Sequence, residues 1–173
     1  MESGDRSRFA VTYQLIDDYQ GPWLLGNFYY WICGNCVGNP QEIISLREVL
    51  ASLQYLVKDR GKRFDSTLCE LDARDLFLNL DGALGQNTQA PSKAVSLPED
   101  FGKFDLHISL EMFSGWRIYM VDCSETSRLL VGMPNSKLIH EYRVQLGEVD
   151  HVLRQTYDAI NEMLDAEIGK SPT

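Results

Sequence analysis

The apolar residues of this chain recur with two different periods, and the switch between them restricts the fold to a mixture of sheet and helix. Over residues 8–16, Phe9, Val11, Tyr13 and Leu15 fall on one side of an alternation. β-branched and aromatic residues dominate there, which predicts a strand. Phe104, Leu106, Ile108 and Leu110 alternate in the same way against Asp105, His107 and Ser109 and predict another over 104–110. By contrast, Leu46, Val49, Leu50, Leu53, Leu56 and Val57 recur at helical spacing. So do Val149, Val152, Leu153, Tyr157, Ile160, Met163, Leu164 and Ile168, which predict a long closing helix from Glu148 to about Ile168.

The remaining elements follow from turn chemistry. Residues 23–33 predict a strand that is apolar on both faces, the pattern of a central strand covered on both sides. Gly34-Asn35 then tolerates positive φ between two extended runs, which favours a two-residue hairpin turn. Ser45 and Glu48 have the spacing of a capping box ahead of the first helix, and Gly61 can close that helix in a left-handed conformation. A second helix is expected over 72–84 and a long surface loop over about 82–103, where Gly, Gln, Asn, Ser and Pro occur without period. Residues 116–121, 128–133 and 138–146 predict three strands. Turns at 122–127 and 134–136 join them, as in an antiparallel meander. The expected fold class is α+β: a mostly antiparallel sheet of about six strands packed with two or three helices, the last of them long and amphipathic. A length of 173 residues fits one domain, 1–173, with disordered ends at about 1–6 and 169–173.

Charge narrows the function. The formal net charge is −9, and no basic patch stands apart. A phosphate backbone or an anionic membrane would be repelled by such a surface, so neither nucleic acid nor membrane is an expected partner. A basic protein would be attracted and steered. The start of the chain has no apolar stretch of signal-peptide length, and no apolar run approaches a membrane span, so the expectation is a cytoplasmic protein with its four cysteines as thiols.

Cys33 and Cys36 form a Cys-x-x-Cys pair, the sharpest chemical signal in the chain. A redox pair needs a helix N-terminus beside it to acidify the first thiol. Here the next expected helix starts only near Ser45. A structural zinc site needs four ligands, and Cys69 and Cys123 each stand alone. The pair therefore reads as the flanks of a hairpin, with a thiol or zinc-dependent enzyme as the competing reading. His107, His140 and His151 have no nucleophile setting around them, and Asp72, Asp75 and Asp81 are spaced too irregularly for a calcium loop. No catalytic residue, metal or cofactor is indicated. What remains is the acidic side of the last helix, with Glu148, Asp158, Glu162 and Asp165 and only Arg154 near them. It is a candidate docking surface for a cationic protein, beside which Tyr19 or Trp23 could act as anchors.

The run from Gly26 to Gly34 has the form Gly-x-Phe-x-x-Trp-x-x-Gly, through Gly26, Phe28, Trp31 and Gly34, with Gly38 four further on. It resembles the immunity protein 42 family of bacterial polymorphic toxin systems. The similarity continues through Ser45–Leu50 and Arg60-Gly61, Phe113–Tyr119, Arg128–Leu130, and Leu146–Glu148. The resemblance implies a cytosolic antidote that binds the C-terminal domain of a cognate toxin, a basic nuclease domain being one such target, and blocks it. It carries over no catalytic residues. The motif itself reads as structural: its glycines permit turns and close approach, and Phe28 and Trp31 point to opposite faces of one strand.

Overall fold

The computed structural model of the chain describes residues 1–85, 89–132 and 138–170. The turn expected at 134–136, Met133 at the end of an expected strand, residues 86–88 of the long loop and 171–173 of the tail lie outside the described residues. The chain forms two compact units, one of Met1–Lys58, Ile108–Ser114 and Glu148–Thr173, the other of Asp59–His107 and Gly115–Gly147. Both are mixed α+β with antiparallel strands, and the first also holds the long final helix, as the two apolar periods require.

In the first unit, β1 (Glu2–Gly4), β2 (Phe9–Leu15), β3 (Leu25–Ile32) and β4 (Asn35–Val37) pair in that order, and β5 (Ile44–Ser45) also pairs with β3. The register sets Phe9, Val11 and Tyr13 beside Ile32, Tyr30 and Phe28, and all six are buried. Full burial of each such side chain contributes roughly 2 kcal/mol. The Phe113 ring lies 4.8 Å from that of Tyr30 and edge-on to that of Phe28. Two helices, α1 (Leu46–Lys58) and α4 (Glu148–Gly169), pack against each other and against the sheet.

Four expectations change here. Residues 2–4 form an edge strand, β1, rather than part of a disordered end, with Glu2 opposite Thr12 and Gly4 opposite Ala10. β3 is central but covered fully on one face only: Phe28, Tyr30 and Ile32 are buried, while Leu25, Asn27, Tyr29 and Trp31 are half-buried. The hairpin exists, but its turn is one residue earlier than expected. Ile32 pairs with Asn35, and Cys33 and Gly34 both have positive φ (47° and 81°), the signature of a type I′ turn. Finally, the Ser45 hydroxyl, expected in a capping box with Glu48, donates to the Trp23 carbonyl at 2.7 Å and ties the start of α1 to the 3₁₀ turn that precedes β3.

The second unit is built on the expected meander. It contains β6 (Arg117–Asp122), β7 (Thr126–Gly132) and β8 (Ile139–Gln145), all antiparallel, with α2 (Ser66–Cys69) and α3 (Ala73–Ala83) packed on them. Asp65 and Asp72 cap the two helices by accepting from the amides of Leu68 and Asp75. Leu68, Leu76, Phe77, Leu80, Phe104, Tyr119 and Leu130 form the core. The strand expected over 104–110 is absent. Phe101–Phe104 is a 3₁₀ turn, and beyond it only Asp105 bridges to β6, at Tyr119. The Leu106 amide still donates to the Ile118 carbonyl, but the chain then turns at Ile108–Leu110, where the Leu110 amide bonds back to the Ile108 carbonyl at 2.8 Å and ends the extended run. The loop over 89–100 carries no regular element but is fastened to α3. Asp75 accepts from the amides of Ser92 and Lys93, and the Asn79 side chain bridges Lys93 and Val95. Cys69 and Cys123, expected as separate thiols, are joined as a disulfide between the end of α2 and the residue after β6. They lie 54 residues apart in sequence, so only the tertiary fold brings them together.

Candidate docking surface

Cys33 occupies the hairpin turn and Cys36 lies on β4 opposite Trp31, and both are free thiols. Burial pushes both thiols above the ordinary cysteine value. The Glu148 carboxylate adds to the rise at Cys33, and Arg6 opposes it at Cys36. A redox or nucleophilic cysteine needs the opposite shift. Among the described residues, no group of three His, Cys, Asp or Glu side chains is placed to hold a metal ion. His140 stacks on Tyr142, His151 is exposed on α4, and the amide of His107 is engaged by Asp105.

The glycine-aromatic motif serves the architecture of β3. A Cβ on Gly26 would lie 2.2 Å from the Gln14 carbonyl oxygen, so the close approach of β2 and β3 at that end excludes any other residue. Gly38, at φ +107°, faces the Phe113 ring at 2.9 Å from where its Cβ would be. Phe28 is buried, and Trp31 emerges on the other face. A four-residue network holds Trp31. Its indole N–H donates to Thr12 Oγ1 at 3.0 Å, and the Thr12 hydroxyl donates to Glu2 Oε2 at 2.9 Å. Arg6 bonds the same carboxylate at 2.7 Å and lies 4.5 Å over the indole ring.

The acidic residues of α4 separate into two groups. Asp158, Glu162 and Asp165 follow at intervals of four and three and share the side of the helix opposite the buried Ile160. Glu162 and Asp165 are exposed. Asp158 is half-buried, with Arg154 donating to it at 2.9 Å, and Asn161 donates to Asp165 at 3.0 Å. Glu148 does not join them. Its side chain is 11% exposed and pairs with Arg8 at 3.1 Å, which places it in the interior rim of the unit. Tyr19 donates its hydroxyl to Glu167 at 3.0 Å, on the packed side of the same helix. Trp23 stands out: it is 55% exposed, and the Arg47 guanidinium lies 5.7 Å from its ring centre.

Sequence reasoning missed the buried polar groups of the second unit. The Tyr119 hydroxyl donates to Asp81 at 2.7 Å, and Arg117 approaches the same carboxylate at 3.6 Å. Burial and this bond push the Tyr119 phenol up. Burial also pushes Asp105, near them, up to about 6, against the pull of the His107 amide and Arg117. Arg128 donates to both oxygens of Glu141, at 2.8 and 3.1 Å, and to the carbonyls of Cys69 and Leu71, and it holds Glu141 below the ordinary carboxylate value. These contacts are closed within the unit and order it. No helix among the described residues is long and apolar enough to cross a membrane.

A family model described as immunity protein 42 matches residues 1–159. No curated protein matches the chain. The crystal structure of CdiI from Burkholderia dolosa AUO158 superposes with a TM-score of 0.67, covering 92% of this chain and 99% of that one at 21% sequence identity. At that identity the likeness establishes a shared fold.

Proposed function

Because the chain belongs to the immunity protein 42 family, we propose that it binds the C-terminal domain of a cognate bacterial toxin one to one and neutralises it in the cytoplasm, breaking no bonds itself. The observation that carries this reading is the span of the family match, which takes in all of β1 to β8, α1 to α3 and the first half of α4. The fold shared with CdiI supports it. So does the chemistry of Cys33 and Cys36, whose thiols are raised rather than activated.

A net charge of −9 favours a toxin domain with a cationic surface, such as a nuclease that must hold a phosphate backbone. Asp158, Glu162 and Asp165 are the carboxylates placed to meet it. The test is co-expression with the toxin domain encoded beside this chain. Growth rescue and a one-to-one complex are expected, and failure of both removes the reading. Replacing the three carboxylates by lysine should slow association roughly 10-fold at low salt and flatten its salt dependence. Unchanged kinetics would place the interface elsewhere.

A further inference from the structure

The outer side of α1 carries a feature that neither the fold nor the acidity of the chain requires. Leu46, Val49, Leu50, Leu53 and Leu56 form the buried side of this helix. Arg47, Ala51, Tyr55 and Lys58 recur at four, four and three on the opposite side, and all are exposed. Tyr55 is 70% exposed and Trp23, against Arg47, 55%. An exposed aromatic residue by itself is ordinary. Here two of them border one strip about 16 Å long with a guanidinium at one end and an ammonium at the other.

Three observations set this strip apart. The first is charge. Neither Arg47 nor Lys58 pairs with a carboxylate among the described residues, although acidic residues outnumber basic ones by 25 to 16; Glu48 only borders the strip. The second is the position of Arg47 in the first turn of α1, where the helix dipole opposes a cation. The third is backbone strain. The turn that presents Trp23, Gly21–Trp23, is bracketed by Gln20 at φ 53° and Leu24 at φ 51°, both in the left-handed region that non-glycine residues avoid. Such strain persists where surrounding contacts hold it, and it gathers at binding sites. Here the Leu24 amide bonds Gly21, the Leu25 amide bonds Tyr19, and the Trp23 carbonyl receives Ser45. The backbone that carries the indole is therefore held in place before any partner arrives.

We propose that Trp23, Arg47, Tyr55 and Lys58 form a second docking surface for the cognate toxin domain, in addition to the carboxylates of α4, and that the toxin meets this one with an apolar pocket bordered by carboxylates. This rests on the function proposed above and deepens it. Tryptophan, tyrosine and arginine are the side chains that dominate binding energy at protein interfaces, and their fixed placement lowers the entropy lost on docking. The unpaired cations set the chemistry of the partner, because carboxylates are what would neutralise them.

The experiment measures affinity for the toxin domain encoded immediately upstream of this chain, using wild type, Trp23→Ala, Tyr55→Ala and Arg47→Glu, with thermal melts of each. Tyr55→Ala and Arg47→Glu should melt like wild type and bind at least about 30-fold more weakly. If wild type binds and these two variants bind within about 3-fold of it, the surface is wrong while the inhibitor reading stands. If wild type neither binds nor rescues, the inhibitor reading falls and takes this surface with it. If the free wild type is a dimer that Tyr55→Ala converts to monomer without loss of toxin affinity, the occupant is a second copy and the proposal is overturned. Should Trp23→Ala melt early, the other two variants still decide the matter.

Discussion

Replacing Asp105 by asparagine should stabilise this protein, and by an amount that depends on pH. The carboxyl is half-buried, and it is raised from an ordinary value of 3.8 to about 6, mainly by burial and in small part by Asp81, with the His107 amide and Arg117 only partly opposing this. The folded value lies above the unfolded one. Between about pH 4 and 6 the folded protein therefore holds a proton that the unfolded chain has released, and stability falls as pH rises through that window. The gap between 3.8 and about 6, at 1.36 kcal/mol per pH unit, amounts to about 3 kcal/mol as the cost of the charged form above about pH 7. Asparagine retains an oxygen to accept the His107 amide and removes the charge. Asp105→Asn is thus expected to gain up to about 3 kcal/mol at about pH 7.5, or roughly 6–12 °C in Tm, and to converge on wild type near pH 4. Urea unfolding followed by circular dichroism across that range measures both. A variant no more stable than wild type at about pH 7.5, or a gain that does not change with pH, would refute the argument that burial governs this carboxyl.

Gly26→Ala should lose roughly 2–3 kcal/mol, because its Cβ meets the Gln14 carbonyl oxygen at 2.2 Å and two paired strands must separate to admit it; a chemical melt within about 0.5 kcal/mol of wild type would show that β2 and β3 yield there. Replacing Cys69 and Cys123 together by serine should cost about 2–4 kcal/mol, the range for a loop of 54 residues, and the difference should vanish in excess reductant. Non-reduced peptide mapping that finds both residues alkylated would exclude the bond. Cys33 and Cys36 should react with iodoacetamide near pH 7 more slowly than free cysteine, because both thiols are raised by burial; faster reaction at either would revive the thiol-enzyme reading.

Local signals in the sequence proved sufficient wherever the structure is local. The stripes of α1 and α4, the Asp72 cap of α3 and the three-strand meander are all set by residues within a turn or a hairpin of one another. The hairpin register slipped by one because Cys33, which carries no turn signal, takes the positive φ that asparagine was expected to take. β1 is three residues long without apolar period, and only its register with β2 defines it. The alternation over 104–110 is real as burial, since Phe104, Leu106 and Ile108 are all buried, but the chain turns back on itself at Ile108–Leu110 and no ladder extends beyond Leu106. The same division holds for the proposed docking surface. The spacing of Asp158, Glu162 and Asp165 could be read directly from a helix, whereas the withdrawal of Glu148 could not, because its partner Arg8 comes from the opposite end of the chain.

A protein that acts by covering another must have its surface in place before the encounter, since every side chain ordered on binding subtracts from affinity. The first unit meets that condition in two ways that no single residue would reveal. Trp31 is locked by a ring of contacts through Thr12, Glu2 and Arg6, so one face of β3 is rigid although it is only half-buried. Trp23 is held by a strained turn that the β3–β5 pairing and Ser45 maintain, so its exposure is a fixed property of the fold rather than a loose end. Strain of about 1–3 kcal/mol at each left-handed residue is affordable only if the sheet beneath does not relax. The residues that make that sheet unyielding are Gly26, at the closest approach of β2 and β3, and the buried aromatic set around Phe28. The glycine-aromatic motif and the proposed docking surface are therefore linked through Trp23. Loosening the motif should release Trp23, and a Gly26→Ala variant that still folds should bind the toxin domain more weakly even though Gly26 is itself buried.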